Sequence, residues 1–471
     1  MGFLNFIGYD KNGSINELPT TLHKGQLGTK DVTLSALGFN APAWVAASSM
    51  SILYTISGHA APLAILIAYF FPMLVIAISM VYLTREAPSA AGAFTFSAKF
   101  IHPNIATILG WSYVINCLAV AAMTAVIGAQ YIQSLIPALN GIIVAKILGT
   151  VMLIVFLFVG LRGISITAKV AGIFLIFEIA VVVGLGILGI LNPHVKDVSF
   201  TSLYSPSAAG GWSVIGPGVL YGMWMLANFD STINFIEEAK HPVRTVQRSL
   251  LLVLSSAFVI YSVAAIGWQY AVPVEKLAAV AEGGNGGAIA AVANEYLPST
   301  FSWFAIFVVI TSSAAGLQIS MTSGARTAYR MSQEGHIPAI FSSINKHKVP
   351  WLVSLIIILL AIGLVWFKPY SQLAFYYDVI TITLVFNYLA IALSFIFAMF
   401  KRYGKGKALL ISILPILSMF VLGYIGYTAG SSAWYIGVGI IITGILIIYG
   451  RGGRRSTNYS YSSIQEEAEV K

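Results

Sequence analysis

Trp224-Met225-Leu226-Ala227-Asn228-Phe229-Asp230-Ser231 places an amide and a carboxylate in the middle of an apolar run near residues 213–239. If that run crosses a membrane, an ionisable group at its centre costs about 2.5 kcal/mol or more, so a polar cavity or partner must face it. A second interruption lies in Leu34 to Ile56, at Gly38-Phe39-Asn40-Ala41-Pro42-Ala43. Pro42 has no N–H and crowds the preceding turn, which predicts a kink or an unwound stretch. Taken singly, each reads equally well as structure: a proline kink, and an Asn-Asp pair that packs helices. Five spans apart, they point instead to a site, because paired broken helices mark the binding region of transporters built from inverted repeats. Unwound backbone offers N–H groups to a carboxylate and carbonyls to an ammonium, a pattern that suits a zwitterion.

The rest of the chain supports the membrane reading. Of 471 residues, 58% are hydrophobic and only 9% charged, far from the composition of soluble domains. Apolar runs of about 18–25 residues recur along the chain, each able to cross a hydrocarbon core of about 30 Å. About 12 are expected, near 33–57, 61–84, 104–136, 140–161, 166–192, 213–239, 247–271, 299–329, 350–367, 374–400, 408–429 and 432–450. With the N-terminus inside, only Lys146, Lys196, Lys276 and Lys368 of the 26 Lys and Arg fall outside. That asymmetry predicts a multi-pass protein of the cytoplasmic membrane with both termini cytoplasmic. The first 30 residues are polar, so no cleavable signal peptide is expected, and the tail 451–471 reads as a polar cytoplasmic segment.

Several function classes fall away. The net charge of +9 is spread over short loops, not gathered on a basic face for nucleic acid. Cys117 is the only cysteine, which rules out an intrachain disulfide and a Cys-based metal site. The seven His residues are scattered, so no metal cluster or catalytic arrangement suggests an enzyme. No filter loop suggests a channel. A non-transporting nutrient receptor on the same fold is a further alternative.

Three segments carry a family resemblance. Asn228-Phe229-Asp230 followed by Glu237-Glu238-Ala239-Lys240-His241-Pro242-Val243-Arg244-Thr245-Val246-Gln247-Arg248 resembles the span-six break and Glu-Glu-x-x-x-Pro-x-Arg-x-x-x-Arg loop of the amino acid–polyamine–organocation transporter superfamily. Ala325-Arg326-Thr327-Ala328-Tyr329-Arg330-Met331-Ser332-Gln333-Glu334-Gly335-His336-Ile337-Pro338 is similar to the loop after its span eight, and Ala87-Pro88-Ser89-Ala90-Ala91-Gly92-Ala93-Phe94 to its segment after span two. The resemblance implies an all-α integral membrane protein with a LeuT-like fold. Its parts would be a cytoplasmic segment (1–32), two inverted five-helix repeats (33–192 and 213–400), two added helices (408–450) and the tail (451–471).

It also implies a substrate site for an amino acid or amine between Asn40, Ala41, Pro42 and Ala43 on one side and Trp224, Ala227, Asn228, Phe229 and Asp230 on the other. The family's Gly-x-Gly break falls on Ala41-Pro42-Ala43, a departure that removes backbone freedom and one donor; Ser48 or Ser49 is a candidate replacement. Trp224 matches a residue that closes over substrate, and Asp230 an inner gate, with Tyr113 as its partner. Glu178, the only acid in its apolar span, falls where proton-coupled members carry a lysine. A carboxyl there is a candidate proton carrier, a candidate ligand for a cation such as Na⁺, or a structural group bonded to Ser312 or Ser313. No cofactor is expected beyond a coupling ion. The resulting expectation is a secondary transporter, with proton symport preferred over substrate-product exchange, in a lipid bilayer, as a monomer or a homodimer.

Overall fold

The computed structural model describes residues 25–280, 287–368, 373–428 and 431–450; the start of the expected N-terminal segment and the whole of the tail lie outside them. Among the described residues every named element is helical, and the one strand-like feature is an isolated bridge between Leu27 and Ala239. The first helix, α1 (Thr29–Asn40), begins where the Asp31 carboxylate accepts from the Gly28 N–H at 2.9 Å, an acid in the first turn facing the positive helix end. After one residue α2 (Pro42–Ser57) follows, and then α3 (Ala61–Ala68), a π turn (Tyr69–Met73) and α4 (Leu74–Glu86). The chain continues through α5 (Ala93–Phe100), α6 (Pro103–Leu135), α7 (Ile142–Gly160), α8 (Ile164–Leu191), α9 (Phe200–Tyr204) and α10 (Trp212–Leu226). A 3₁₀ helix (Phe229–Glu238), α11 (Pro242–Ala271), α12 (Val274–Ala279), α13 (Gly287–Tyr296) and α14 (Ser299–Gln333) come next. The last four are α15 (Trp351–Phe367), α16 (Leu373–Arg402), α17 (Lys405–Thr428) and α18 (Ser431–Gly450).

Nine stretches among the described residues are long and apolar enough to cross a membrane, and Trp351–Phe367 is a shorter apolar helix. The number differs from the twelve runs of the sequence for a physical reason. Thr29–Glu86 forms one stretch of 58 residues that holds two of the expected spans, and the break at Ala227 and Asn228 divides another into pieces of 15 and 10 residues. The sequence reading also passed over an interruption at Phe71, whose φ of −152° and ψ of 113° leave the helical region just before Pro72.

The broken segments sit at the centre. α1 packs on α8, α11, α14 and the 3₁₀ helix, and α2 on α10, α12 and α13. Every residue from Ser35 to Ser51 is buried. By contrast α7, α17 and α18 turn large apolar side chains outward, among them Ile143, Phe158, Leu410, Phe420 and Leu446, as helices facing lipid do. α8 and α11 touch backbone to backbone: a Cβ on Gly267 would lie 1.9 Å from the Gly186 carbonyl oxygen. Small residues allow this approach, which replaces the hydrophobic drive that lipid does not supply.

Candidate functional site

The first break is one residue wide. Ala41 lies in the left-handed region (φ 48°, ψ 63°), a conformation that costs a residue with a Cβ about 1–2 kcal/mol. Pro42 then opens α2 at the first helical position, where its missing N–H would have no intrahelical partner in any case. The next donors are met from other helices. The Ala43 N–H donates to Glu178 Oε2 on α8 at 3.2 Å, and the Trp44 N–H to Ser312 Oγ on α14 at 3.0 Å. Ser312 Oγ in turn donates to the same Glu178 oxygen at 2.5 Å. Glu178 is fully buried, and its Oε1 has no hydrogen-bond partner among the described residues. A carboxyl from one helix therefore caps the start of another, satisfying donors that a buried helix end cannot leave open.

The second break answers the first. α10 stops at Leu226, Ala227 is extended, and Asn228 takes the left-handed conformation (φ 67°) before the 3₁₀ helix begins; asparagine tolerates that region better than most residues. Asn40, the last residue of α1, joins the two: its Nδ2 donates to the Met225 and Ala227 carbonyls at 2.8 and 2.9 Å. Its Oδ1 accepts from the Tyr261 hydroxyl of α11 at 2.5 Å. Two carbonyls at the end of α10 are thus tied to the end of α1. The indole of Trp224 packs between Trp44, 5.7 Å away between ring centres, and Tyr377 of α16, 5.3 Å away. Over this cluster lies the start of α13, where a Cβ on Gly287 would come within 2.6 Å of the Tyr131 hydroxyl and 2.8 Å of the Ala47 carbonyl.

Below the breaks, toward the end of the bundle where α1 starts, a polar assembly closes the structure. Asp230 accepts from the Tyr388 hydroxyl of α16 at 3.2 Å, and Asn234 donates to the Tyr113 hydroxyl of α6 at 3.0 Å. Asp230, Tyr113 and Asn234 line one small cavity of about 10 Å³, about the room of a single water. Arg326 of α14 donates to the Asn234 carbonyl at 2.6 Å and pairs with Glu238. Arg330 lies 3.4 Å from Glu237 and 3.6 Å from Glu334, and the Ala90 N–H reaches Glu237 at 3.4 Å. Burial pushes the Glu334 carboxyl up to about 7, against the pull of Arg330 and with a further push from Glu237. The Gln26 and Leu27 N–H groups donate to the Glu238 carbonyl at 2.9 and 3.0 Å, so the start of the described chain lies across this end.

A cavity of about 840 Å³ elsewhere is lined by Trp111, Val114, Met331, Ile337, Val353 and other apolar side chains with no charged group, and it carries none of this chemistry. No group of three or more His, Cys, Asp or Glu that could hold a metal ion occurs among the described residues.

A model of the family described as amino acid permease matches residues 32–450, nearly the whole chain. The chain belongs to the amino acid permease family. Among its relatives, an uncharacterized amino acid permease of Bacillus subtilis (strain 168), YecA, is 23% identical over 269 residues, 56% of this chain and 59% of YecA. The low-affinity putrescine importer PlaP of Escherichia coli (strain K12) is 25% identical over 194 residues, 39% of this chain and 41% of PlaP. The branched-chain amino acid permease BcaP of Lactococcus lactis subsp. cremoris (strain MG1363) is 23% identical over 413 residues, 81% of this chain and 84% of BcaP. The matches to YecA and PlaP thus cover less than two thirds of those proteins.

In this permease-family chain the two breaks expected to form the site face each other: Asn40 bonds Ala227, and Trp44, just past Ala41, Pro42 and Ala43, packs on Trp224, with Asn228, Phe229 and Asp230 directly following Ala227. Glu178 and Ser312 are bonded to each other, whereas the Ser313 hydroxyl donates to the Val309 carbonyl of its own helix. Two expectations need correction. Of Ser48 and Ser49, Ser48 does not replace the donor lost at Pro42, because its hydroxyl donates back to the Trp44 carbonyl at 2.9 Å; Glu178 and Ser312 meanwhile accept from the Ala43 and Trp44 N–H groups. Asp230 is hydrogen-bonded to Tyr388, while Tyr113 accepts from Asn234, one turn further along the 3₁₀ helix. Sequence reading missed Tyr261, Tyr377 and Tyr388, since an aromatic residue in an apolar helix gives no signal of its own. The three family-like segments also converge, through Ala90, Glu237, Glu238, Arg326 and Arg330.

Proposed function

We propose that this protein is a secondary active transporter of amino acids or related amines that works by alternating access around the two breaks. The observation that carries the reading is the tie between them: the side chain at the end of α1 bonds the carbonyls at the end of α10. Irregular backbone at membrane depth persists where protein or a polar cavity satisfies it, and two such stretches side by side form the kind of site transporters use. In this reading the chain has twelve spans, the first ten as two inverted five-helix repeats (33–192 and 213–400), with both termini cytoplasmic. The Arg326–Glu238 assembly is then the inner closure and α13 the outer cover. Burial in the closed assembly favours the protonated form of Glu334, and opening would favour release of that proton.

Glu178 is the proposed coupling group. Its Oε2 takes both donors, which leaves the unpartnered Oε1 to carry or release a proton. Standing on α8 and bonded to both α2 and α14, it would link that proton to movement of the broken helix. The same cap favours a second reading: if Glu178 is a fixed structural bond, nothing in this part of the site moves a proton, and the protein exchanges one substrate for another.

Uptake of radiolabelled amino acids and amines into proteoliposomes separates these readings. Accumulation driven by an inward pH gradient alone is expected for symport. Uptake only into vesicles preloaded with substrate would make the protein an exchanger, dependence on a Na⁺ gradient would make the coupling ion Na⁺, and no uptake under any condition would overturn the transport reading.

A further inference from the structure

We infer that the substrate held between α2 and α10 is an amine or diamine without a carboxylate; the inference rests on the transport reading above and narrows it. The start of a helix inside a membrane attracts carboxylates through its free N–H groups. At α2 none is free. Pro42 has no N–H, the Ala43 N–H is held by Glu178, the Trp44 N–H by Ser312, and the Val45 N–H by the Ala41 carbonyl at 2.9 Å. The place a substrate carboxylate would take is filled by a carboxyl of the protein, and whether ionised or protonated, its Oε2 occupies the donor.

At the second helix start one N–H is closed in the same way. Asp230 stands in the first turn of the 3₁₀ helix, and the Ser231 N–H is taken by the Asn228 carbonyl at 3.1 Å. Neither Glu178 nor Asp230 is in an ion pair among the described residues, and Arg326 on the inner side is held by Asn234 and Glu238. α1 meanwhile directs its C-terminal, negative end at the breaks, whereas the Met225 and Ala227 carbonyls at the end of α10 are already held by the Asn40 amide. Ala43 and Trp44 donate to side chains, so the Phe39 and Asn40 carbonyls lose the helical partners those residues would supply.

The walls agree with the charges. Trp44, Trp224 and Tyr377 form a row of rings at 5.7 and 5.3 Å, and aromatic faces attract ammonium groups. The indole N–H groups of Trp44 and Trp224 are buried without partners among the described residues, but two neutral donors do not offset the Glu178 and Asp230 carboxyls and the carbonyl end of α1. The balance favours one or two ammonium groups on an apolar body and disfavours a substrate acid group.

The test compares each amino acid with the amine left by removing its carboxyl: lysine with cadaverine, ornithine with putrescine, arginine with agmatine, tryptophan with tryptamine, leucine with isoamylamine. Binding to the full-length protein in nanodiscs and uptake into proteoliposomes are both measured. For at least one pair the amine is expected to bind about tenfold tighter or more than its amino acid, with Glu178→Gln narrowing that ratio several-fold. An amino acid that binds as tightly as its amine and accumulates would overturn the inference while leaving the transport reading intact. An amine that binds but never accumulates would overturn the transport reading and keep the substrate class, and failure of every compound to bind would overturn both.

Discussion

Glu178→Leu is expected to lower the unfolding free energy by about 2–6 kcal/mol and to cut uptake by about a hundredfold. The Ala43 N–H and the Ser312 hydroxyl both lose their acceptor in a fully buried place, and each stranded group costs about 1–3 kcal/mol. A loss of about 2.7 kcal/mol in stabilising the broken helix during transport corresponds to about a hundredfold in rate. Glu178→Gln separates capping from proton transfer. Its amide oxygen can still accept from both donors, so its thermal unfolding in detergent is expected to stay near that of the parent, while uptake no longer responds to an imposed pH gradient. A Leu variant that melts like the parent would contradict the cap. A Gln variant with full pH-gradient response would contradict the proton role and leave the cap standing.

Arg326→Leu has the second large effect. The guanidinium holds Glu238, the Asn234 carbonyl and the face of Phe235, whose ring centre is 5.2 Å from Cζ. Its removal leaves a buried carboxylate without its cation, a change that typically costs about 3–5 kcal/mol. Replacing both partners is far milder, because an apolar pair of similar volume in place of a buried ion pair is often neutral or stabilising. The expected order of melting temperatures is therefore parent near the Arg326→Leu/Glu238→Leu double variant, with Arg326→Leu well below both. Equal instability of the single and double variants would show that Arg326 acts through Asn234 and Phe235, not through Glu238.

The sequence announced the membrane architecture through its apolar runs and both breaks through their chemistry. Pro42 removes a donor, and Asn228 is a residue that accepts the left-handed conformation it adopts. What it left unread is registration between helices. Glu178 and Ser312 could be paired as an acid and a hydroxyl on neighbouring spans, but no pattern in either span states that both meet the Ala43 and Trp44 amides. Asn40 was legible as part of a backbone break; that its amide ties α1 to α10 depends on the depth at which the two helices cross. The resemblance pairs Tyr113 with Asp230, which do line one cavity, and the one-turn offset that gives the Tyr113 hydrogen bond to Asn234 is below what helical periodicity resolves. The interruption at Phe71 did carry a signal, Pro72, within an otherwise uniform apolar run.

The central claim, that the two breaks enclose a site reached alternately from each side of the membrane, is tested most directly by thiol accessibility. Cys117 is buried and is the only native cysteine, so Cys117→Ala gives a clean background, and Ala227→Cys adds one small thiol at the α10 break. A membrane-impermeant thiol reagent is applied to right-side-out and to inside-out vesicles, with and without a transported substrate. Labelling from both sides, slowed by substrate in each case, is the predicted result; labelling from one side only, or at a rate that substrate does not change, would contradict the account.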